Sequence, residues 1–584
     1  MPAGSKRNGG TDRPARKVRI LFQPSGLRVS VPAGTDISTA ARQAGISVGG
    51  VCGGAGTCGR CRVLVVSGRK RRPVLACQLR PEKPVKVEVP AKTAAGAAQI
   101  LAEGVYVDVA PRPNARAIVE DGRHFLAVGD SRLPLHSPIP RCLGAAFDLG
   151  TTTLVASLFD LSTGQRIAIA SSLDPQVALG EDVVSRINLS ISDREAPARL
   201  RALLVKEANR LIGQACASAG VPVGAVCDIV AVGNTFMHHS FLGLPVRTLA
   251  ESPYSPATTR ERELPASELG FRAHRLCRAY VPPPVAGFLG SDAVAGALAA
   301  GLDRWKGPTL YIDLGTNGEL LLAFDGRILG STTAAGPAFE GAQIECGMRA
   351  AEGAISAVQL VREEGAVGRT MRSLHEEAGR NGFDARPSSL NDSKASSKRF
   401  KLSIETIGGK PARGIAGSGL VDAVAALLDA GAVDHRGNLV EPHALVERDP
   451  GGKLTVLCKK PRRIHLSQQD IRSLQLAKAA IAAGTDVLLD NAGITGEELD
   501  RVLLAGAFGN YLDRRSAQRI GLLPPVELDR VLGLGNAAST GAGMMLVSVD
   551  ERKRALELGK RIEYIELAGN GRFRELFVDC LAFP

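Results

Sequence analysis

Four of the chain's eleven cysteines fall between Cys52 and Cys77, spaced C-x5-C-x2-C-x15-C. Thiolates at such intervals can surround an iron–sulfur cluster, which makes Cys52, Cys58, Cys61 and Cys77 its candidate ligands. Gly53, Gly54, Gly56 and Gly59 suit a loop that turns tightly and points backbone N–H groups at cluster sulfurs. Four thiolates also suit zinc, but zinc ribbons pair two C-x2-C knuckles and this stretch has one. Gly54, Gly56 and Gly59 satisfy the G-x-G-x-x-G of a dinucleotide loop as well. Nothing nearby makes the strand–turn–helix unit such a loop needs, and Cys58 lies inside the motif.

A second set of residues occurs twice. Asp148-Leu149-Gly150-Thr151-Thr152 and Asp313-Leu314-Gly315-Thr316-Asn317 each end an apolar run and open a second one. A strand ending in Asp-x-Gly-Thr places a carboxylate beside a tight turn. The turn's N–H and hydroxyl groups can cradle phosphate while the carboxylate holds magnesium, directly or through water. Two plain hairpins with glycine turns would not account for Asp, Gly and Thr recurring together. Asp148 and Asp313 are therefore candidate Mg2+ ligands, with Thr151, Thr152, Thr153, Thr316 and Asn317 at the phosphates. Glu319 is the candidate for positioning an attacking water, the alternative being a surface carboxylate at the start of a strand.

The elements that must position these groups can be read in outline. Residues 1–16 are basic and polar, a disordered tail. From Val18, apolar and polar residues alternate around a Pro-Ser-Gly turn, a hairpin signal; ISTAARQAGI follows as a short helix before the cysteine loop. Arg62–Val66 and Val85–Val89 are further strand-like runs, which sets a domain at 17–90. Residues 91–142 have no clear period and are either a linker or a reduced middle domain. From Leu143 to the end, strand and helix patterns alternate. RGIAGSGLVDAVAALLDAGAV opens a helix from a glycine turn, with Leu420, Val421, Val424, Leu427 and Leu428 on its apolar side. Gly506 and Gly509 end a buried strand. Ser467 and Asp470 form a capping box for a helix with Ile471, Leu474, Ala477 and Ile481 on one face, read as linking two lobes. The glycines of GLGNAASTGAG either permit close helix packing or add a small-residue surface near a bound nucleotide. Residues 370–399 accumulate Ser, Asn, Lys and Arg without period, a disordered insertion.

Composition bounds the function. The 584 residues suffice for several domains, and no apolar run reaches the roughly 18–20 residues that span a bilayer. No signal-peptide pattern opens the chain and the other seven cysteines are scattered singly, so a cytoplasmic location is expected. The net charge of +13 is dispersed over the length. With aromatics at 4%, the chain has little platform for stacking bases, which argues against nucleic acid. Arg69-Lys70-Arg71-Arg72 and Lys459-Lys460-Pro461-Arg462-Arg463 read as solvated clusters, the first also placed to steer an acidic redox partner.

Residues 17–90 resemble the 2Fe–2S ferredoxin domain, with a gap between Cys52 and Cys58 closer to the adrenodoxin type and an unusually short interval from Cys61 to Cys77. The paired Asp-Leu-Gly-Thr loops resemble those of the ATPase superfamily that includes acetate and sugar kinases, heat-shock chaperones and actin. In that superfamily the turn at Gly506 and Gly509 is the place that seats the adenosine, and the turn at Gly417, Ser418 and Gly419 fits the same pattern, with Ser418 placed to meet either nucleotide or partner. Further runs narrow the match: Gly180-Glu181-Asp182-Val183-Val184-Ser185-Arg186, Val232 to His239, Gly290-Ser291-Asp292, Gly336 to Gly341 and Phe577 to Pro584. Together with the ferredoxin-like front they resemble the reductive activators of corrinoid-dependent methyltransferases.

That resemblance implies an α/β multidomain protein: a β-grasp 2Fe–2S domain followed by a two-lobed, actin-like (ribonuclease H-like) ATPase domain at 143–584. It implies one-electron reduction of Co(II) to Co(I) in a corrinoid protein, with a 2Fe–2S cluster, ATP and Mg2+ as cofactors. A plant-type cluster lies near roughly −400 mV, above Co(II) reduction in such systems. Each 100 mV uphill costs roughly 2.3 kcal/mol per electron, which makes an ATP requirement intelligible. His238 and His239 would then either approach the corrinoid or cap packing between lobes. No flavin or nicotinamide site is evident, so an external reductase or ferredoxin must supply electrons. The rival readings are an ATP-gated donor to another enzyme, as in dehydratase activators, a redox-sensing nucleotide-binding regulator, and a small-molecule kinase, which would leave the cysteines unexplained.

Overall fold

The computed structural model describes residues 17–23, 28–43, 62–67, 70–88, 107, 109–135, 138–139, 141–341, 343–362, 400–509 and 511–584. Cys52, Cys58 and Cys61, the tail at 1–16, residues 91–106 of the 91–142 stretch and the insertion at 370–399 lie outside these residues. The chain divides into two compact units, 1–96 and 97–584.

In the first unit, β1 (Lys17–Gln23), β2 (Arg28–Pro32), β3 (Arg62–Ser67), β4 (Lys70–Leu75) and β5 (Val85–Glu88) form one sheet in the order β2-β1-β5-β3-β4. β1 runs parallel to β5 and antiparallel to β2. Its alternation buries Val18, Ile20 and Phe22 on one face. The helix Ile37–Gln43 sets Ile37, Ala40 and Ala41 into the same core, with Val63, Cys77 and Val87. This mixed sheet gripping one helix is the β-grasp arrangement expected. β4 was not read as a strand: the Lys70-Arg71-Arg72 run is an edge strand paired with β3, with Arg71 and Arg72 exposed as the solvated reading has it. Charged edges resist pairing with a further strand.

In the second unit, β6 (Ala115–Glu120), β7 (Arg123–Val128) and β8 (Ser131–Pro134) make a small antiparallel meander. Ala115 and Leu126 anchor it in the unit's core, and its other faces are wet, which is why the sequence shows no clear period there. Two larger sheets follow, each of the same plan. β9 (Leu143–Leu149), β10 (Thr153–Asp160) and β11 (Arg166–Leu173) are an antiparallel meander; β12 (Val226–Gly233) pairs parallel with β9, and β13 (Arg262–Pro265) and β14 (Arg278–Val281) extend the edge. β15 (Thr309–Leu314), β16 (Gly318–Phe324) and β17 (Arg327–Thr333) repeat the meander. β18 (Ala354–Arg362), β19 (Phe400–Thr406), β20 (Gly414–Ile415) and then β21 (Glu447–Asp449), β22 (Gly452–Cys458) and β23 (Ile464–Ser467) are side sheets. β24 (Arg501–Ala505) pairs parallel with β15, followed by β25 (Val531–Gly535), while β26 (Ile562–Tyr564) lies against β17. The orders β11-β10-β9-β12-β14-β13 and β25-β24-β15-β16-β17-β26 thus contain one topology used twice, the two-lobed plan of the expected ATPase domain.

The lobes meet through two helices, Ser291–Ala300 and Ala537–Val547, whose small residues let them approach closely. A Cβ on Gly541 would lie 1.9 Å from the Ala295 carbonyl oxygen, and one on Gly296 would lie 2.0 Å from the Tyr311 hydroxyl. The long helix Gln468–Ala492 has the expected Ser467–Asp470 capping box but does not link the lobes. Its face of Ile471, Leu474, Ala477 and Ile481 packs over the second lobe's own sheet, with Ile481 filling the space above Gly318. Among the described residues no helix is long and apolar enough to cross a membrane.

The close helix crossing gives a direct test. Gly541→Val should destabilise the second unit by about 3 kcal/mol, the upper end of what overpacking costs. Unfolding can be followed at Trp305, the chain's single tryptophan; an unchanged midpoint would show that the two helices do not meet at Gly541.

Candidate functional site

The paired Asp-Leu-Gly-Thr turns lie at equivalent ends of β9 and β15 and face one cavity of about 200 Å³. Asp148 sits opposite Val155 of β10 and Val232 of β12, and Asp313 opposite Glu319 of β16 and Ala505 of β24. The two turns touch: the Thr152 and Thr316 hydroxyl oxygens are 2.9 Å apart. Thr316 donates its one hydroxyl proton to Glu340 Oε1 at 2.6 Å, so Thr152 must be the donor between the threonines.

The first turn is held from below by a buried ion pair. Arg186 and Asp174, 2.8 Å apart, are both fully buried. Arg186 Nη2 donates to the Thr151 carbonyl at 2.6 Å, Nε to the Gly180 carbonyl at 2.8 Å and Nη1 to Gln176 as well as Asp174. Asp182 caps the helix Val183–Ser192 that carries Arg186. The run from Gly180 to Arg186 is thereby a brace for the loop.

Two asparagines serve both a helix and the site. The Asn234 carbonyl oxygen caps the helix Thr235–Leu242 by accepting from Met237 N at 3.0 Å, and its amide donates to Thr151 Oγ1 at 2.8 Å. Asn536 caps Ala537–Val547 through Ser539 N at 2.7 Å and donates to Asp148 Oδ2 at 2.8 Å. Because the cap requires the oxygen, the amide nitrogen is obliged to face the cavity. The sequence reading passed over both residues, although Asn directly before a helical run is a capping signal. The packing role read for the GLGNAASTGAG glycines holds at Gly541, and the same run also supplies Asn536 to the site.

Besides Glu340, which is bonded to Thr316, four carboxylates share the cavity: Asp148, Asp292, Asp313 and Glu319. The Gly290-Ser291-Asp292 pattern alone assigns Asp292 no role. Burial pushes Asp148 up to about 6 against its Asn536 hydrogen bond, and pushes Asp292 to about 7 with help from the Asp148 charge. Asp313 also rises to about 7, burial outweighing the hydrogen bond donated by Tyr311 OH at 2.9 Å. Glu319 is raised well above the usual range by burial and then by Asp292 and Asp313. It is nearly inaccessible, so it is not the surface carboxylate its position at a strand start allowed.

Four helix N-termini converge on the same cavity, those of Thr235–Leu242, Ser291–Ala300, Gly417–Asp429 and Ala537–Val547. Their positive ends and the turn N–H groups favour an anion beside the carboxylates. Among the described residues no three His, Cys, Asp or Glu side chains converge tightly enough to hold a metal alone. A cation here would take its remaining ligands from phosphate and water, a habit of magnesium.

On the remaining wall, Phe339 and Phe508 stack with centroids 4.9 Å apart. Gly506, at φ +86°, lines the cavity where a Cβ would lie 2.8 Å from Asp313 Oδ1. Gly150, Thr151, Thr152, Thr153, Gly315, Thr316, Asn317, Gly417 and Ser418 also line it. Two expected residues do not: Gly419 packs under the Ile355 carbonyl and Gly509 against Leu504. Ser418 donates its hydroxyl to the Ser356 carbonyl at 2.8 Å. His238 and His239 are buried away from the cavity. His239 Nδ1 bonds the Thr235 carbonyl and Nε2 accepts from Ala257 N, which fixes a neutral ring among backbone groups. In the first unit Cys77 is buried, with the Gln78 side-chain amide 3.7 Å from its sulfur, a donor that suits a thiolate ligand.

Residues 20–82 match the 2Fe–2S iron–sulfur cluster binding domain. Residues 143–305 match the RACo middle region, and 307–378 with 373–584 match the C-terminal domain of RACo, the ASKHA domain. The corrinoid activation enzyme RamQ of Eubacterium limosum is 29% identical over 623 residues, spanning 96% of this chain and 98% of RamQ. The [Co(II) methylated amine-specific corrinoid protein] reductase of Methanosarcina barkeri is 26% identical over 451 residues, 75% of this chain and 77% of that protein. A solved reductive activator for a corrinoid, iron–sulfur protein superposes with a TM-score of 0.70 at 28% identity, covering 97% of this chain and 98% of the other.

The buried brace and the carboxylate set each predict a measurement at Trp305. Arg186→Met leaves Asp174 uncompensated and should cost about 3–5 kcal/mol, while adding Asp174→Asn should recover part of it; equal losses in single and double variants would mean the pair is not coupled. Carboxyls raised in the folded state stabilise it most below their ordinary value of 3.8, and that stabilisation is lost as the pH rises through 6 to 7. The ligand-free protein should therefore lose more stability between pH 5 and pH 8 than Asp313→Asn does, and identical pH profiles would refute the assignment.

Proposed function

Since the chain belongs to the RACo family, with that family's middle region and ASKHA domain behind a 2Fe–2S domain, we propose that it reductively activates a corrinoid protein, returning Co(II) to Co(I) with one electron in a step that requires ATP. The observation that carries this reading is the joining, in one chain, of a four-cysteine ferredoxin segment to an interlobe cavity where two Asp-Leu-Gly-Thr turns meet.

Cys52, Cys58, Cys61 and Cys77 would hold the cluster, which supplies a one-electron couple when bound. The cavity takes the nucleotide. Asp148 and Asp313 would hold Mg2+, and the Gly150–Thr153 and Gly315–Asn317 turns would receive the phosphates. Glu319 or Asp292 holds the attacking water. Each position is buried enough for a raised proton affinity, which suits a group that takes up a proton as water attacks. The Thr152 and Thr316 hydroxyls bond to each other and to Glu340. A phosphate that claims those donors must break that chain, so nucleotide binding and the contact between lobes are linked through the same two protons. An external reductase or ferredoxin would recharge the cysteine domain.

The test is spectroscopic. The purified protein, a reductant, Mg2+ and ATP should generate the Co(I) absorbance of a corrinoid protein encoded in the same genome. The signal should vanish without ATP, in Cys77→Ser, and fall by at least tenfold in Asp313→Asn. Absence of ATP-stimulated Co(I) with every such corrinoid protein would refute the reading.

A further inference from the structure

The cavity has a charge problem that the residues discussed so far do not solve. Asp148, Asp292, Asp313, Glu319 and Glu340 all line it, and neither Asp-Leu-Gly-Thr turn carries a lysine or arginine. Magnesium and helix ends offset part of a triphosphate's charge, but helix ends are fixed partial charges. Among the described lining residues, Arg349 is the only cation.

Arg349 is held unusually for a surface arginine. Its backbone is pinned: Met348 N donates to the Ile415 carbonyl at 2.8 Å, and Ile415 N donates to the Cys346 carbonyl at 2.8 Å. Gly341, at φ +78°, closes against the same segment, where a Cβ would lie 2.4 Å from the Met348 carbonyl oxygen. Ile415 leads directly into Gly417, where one of the four convergent helices begins. The side chain, by contrast, is exposed, and among the described residues no carboxylate or carbonyl engages its guanidinium. Glu340, on the same connection, is already occupied by Thr316. A fixed backbone that presents a free, planar donor fork into an anion-binding cavity is arranged for bidentate pairing with a phosphate.

We propose that Arg349 pairs with the phosphate chain of the bound nucleotide, an inference that rests on the nucleotide reading above. It is the side-chain cation that the two turns lack, contributed by the connection between β17 and β18.

Binding of MgATP, MgADP, adenosine and magnesium tripolyphosphate to the full-length protein tests this, by calorimetry on wild type, Arg349→Gln and Arg349→Lys. Arg349→Gln should weaken MgATP and tripolyphosphate at least tenfold and MgADP less, and leave adenosine within twofold. Arg349→Lys should recover part of the loss, because it keeps the charge without the fork. Equal losses for adenosine and MgATP would place Arg349 on the nucleoside and overturn the proposal, as would unchanged MgATP binding in Arg349→Gln. A wild-type protein that binds none of the four ligands would overturn the nucleotide reading itself, a result distinct from either.

Discussion

Four carboxylates in one desolvated cavity repel each other, and much of the second unit exists to hold them there. Asp148 and Asp313 come from equivalent strands of the two lobes, Glu319 from the next strand of the second, and Asp292 from the helix between them. The opposition is partly offset from outside the set. The Asn536 amide and Tyr311 hydroxyl donate to Asp148 and Asp313, and Asp292 accepts from Ala293 N at the start of its own helix. What offset remains must come from solution, as a cation, a proton or both. On the proposed reading, such a deficit would favour a metal taken with its phosphates over either alone.

The same requirement explains residues that never touch the cavity. Tyr311 reaches Asp313 because Gly296 leaves room for its hydroxyl. Gly290 is needed one step further back, since a Cβ there would lie 2.3 Å from Asn234 Cα and displace the asparagine that holds Thr151. Arg186 makes the first turn rigid by satisfying the Thr151 carbonyl from within the protein. Its burial is expensive, and Asp174 makes that tolerable only because the remaining donors also find acceptors. The family-specific runs beyond the two turns thus include positioning parts whose purpose appears only in three dimensions.

That is also where the sequence stops being legible. The repeated strand–turn–strand units could be read because both the pattern and the chemistry are local, and Ser467 with Asp470 because a capping box spans four residues. Asp292, Asn234, Asn536 and Arg186 reach their partners across 35 to 388 positions in the hydrogen bonds that matter or through the cavity itself, and no local period marks them. β4 was hidden by its lysine and arginines, which suit an edge but not a strand composition. The meander β6–β8 was hidden because only Ala115, Leu126 and Ala127 of its residues are fully inside. The helix Gln468–Ala492 was legible at its capped start and wrongly placed: an apolar face says that a helix packs, not what it packs against.

The convergence of four helix N-termini separates two jobs that one lysine-bearing loop would combine. Fixed dipoles, each equivalent to roughly half a charge at its end, favour an anion near the turns whatever its identity. They cannot distinguish a triphosphate from a smaller anion by following it, because they do not move. Discrimination must come from groups whose donors are engaged elsewhere until the right ligand arrives, and the Thr152–Thr316–Glu340 chain has that property. Breaking it costs two good hydrogen bonds, which a phosphate bridging both turns can replace and an anion touching one turn cannot. On the proposed nucleotide reading, the hydroxyl chain would favour a ligand long enough to reach both lobes, and the same bridging would let the ligand set the distance between them.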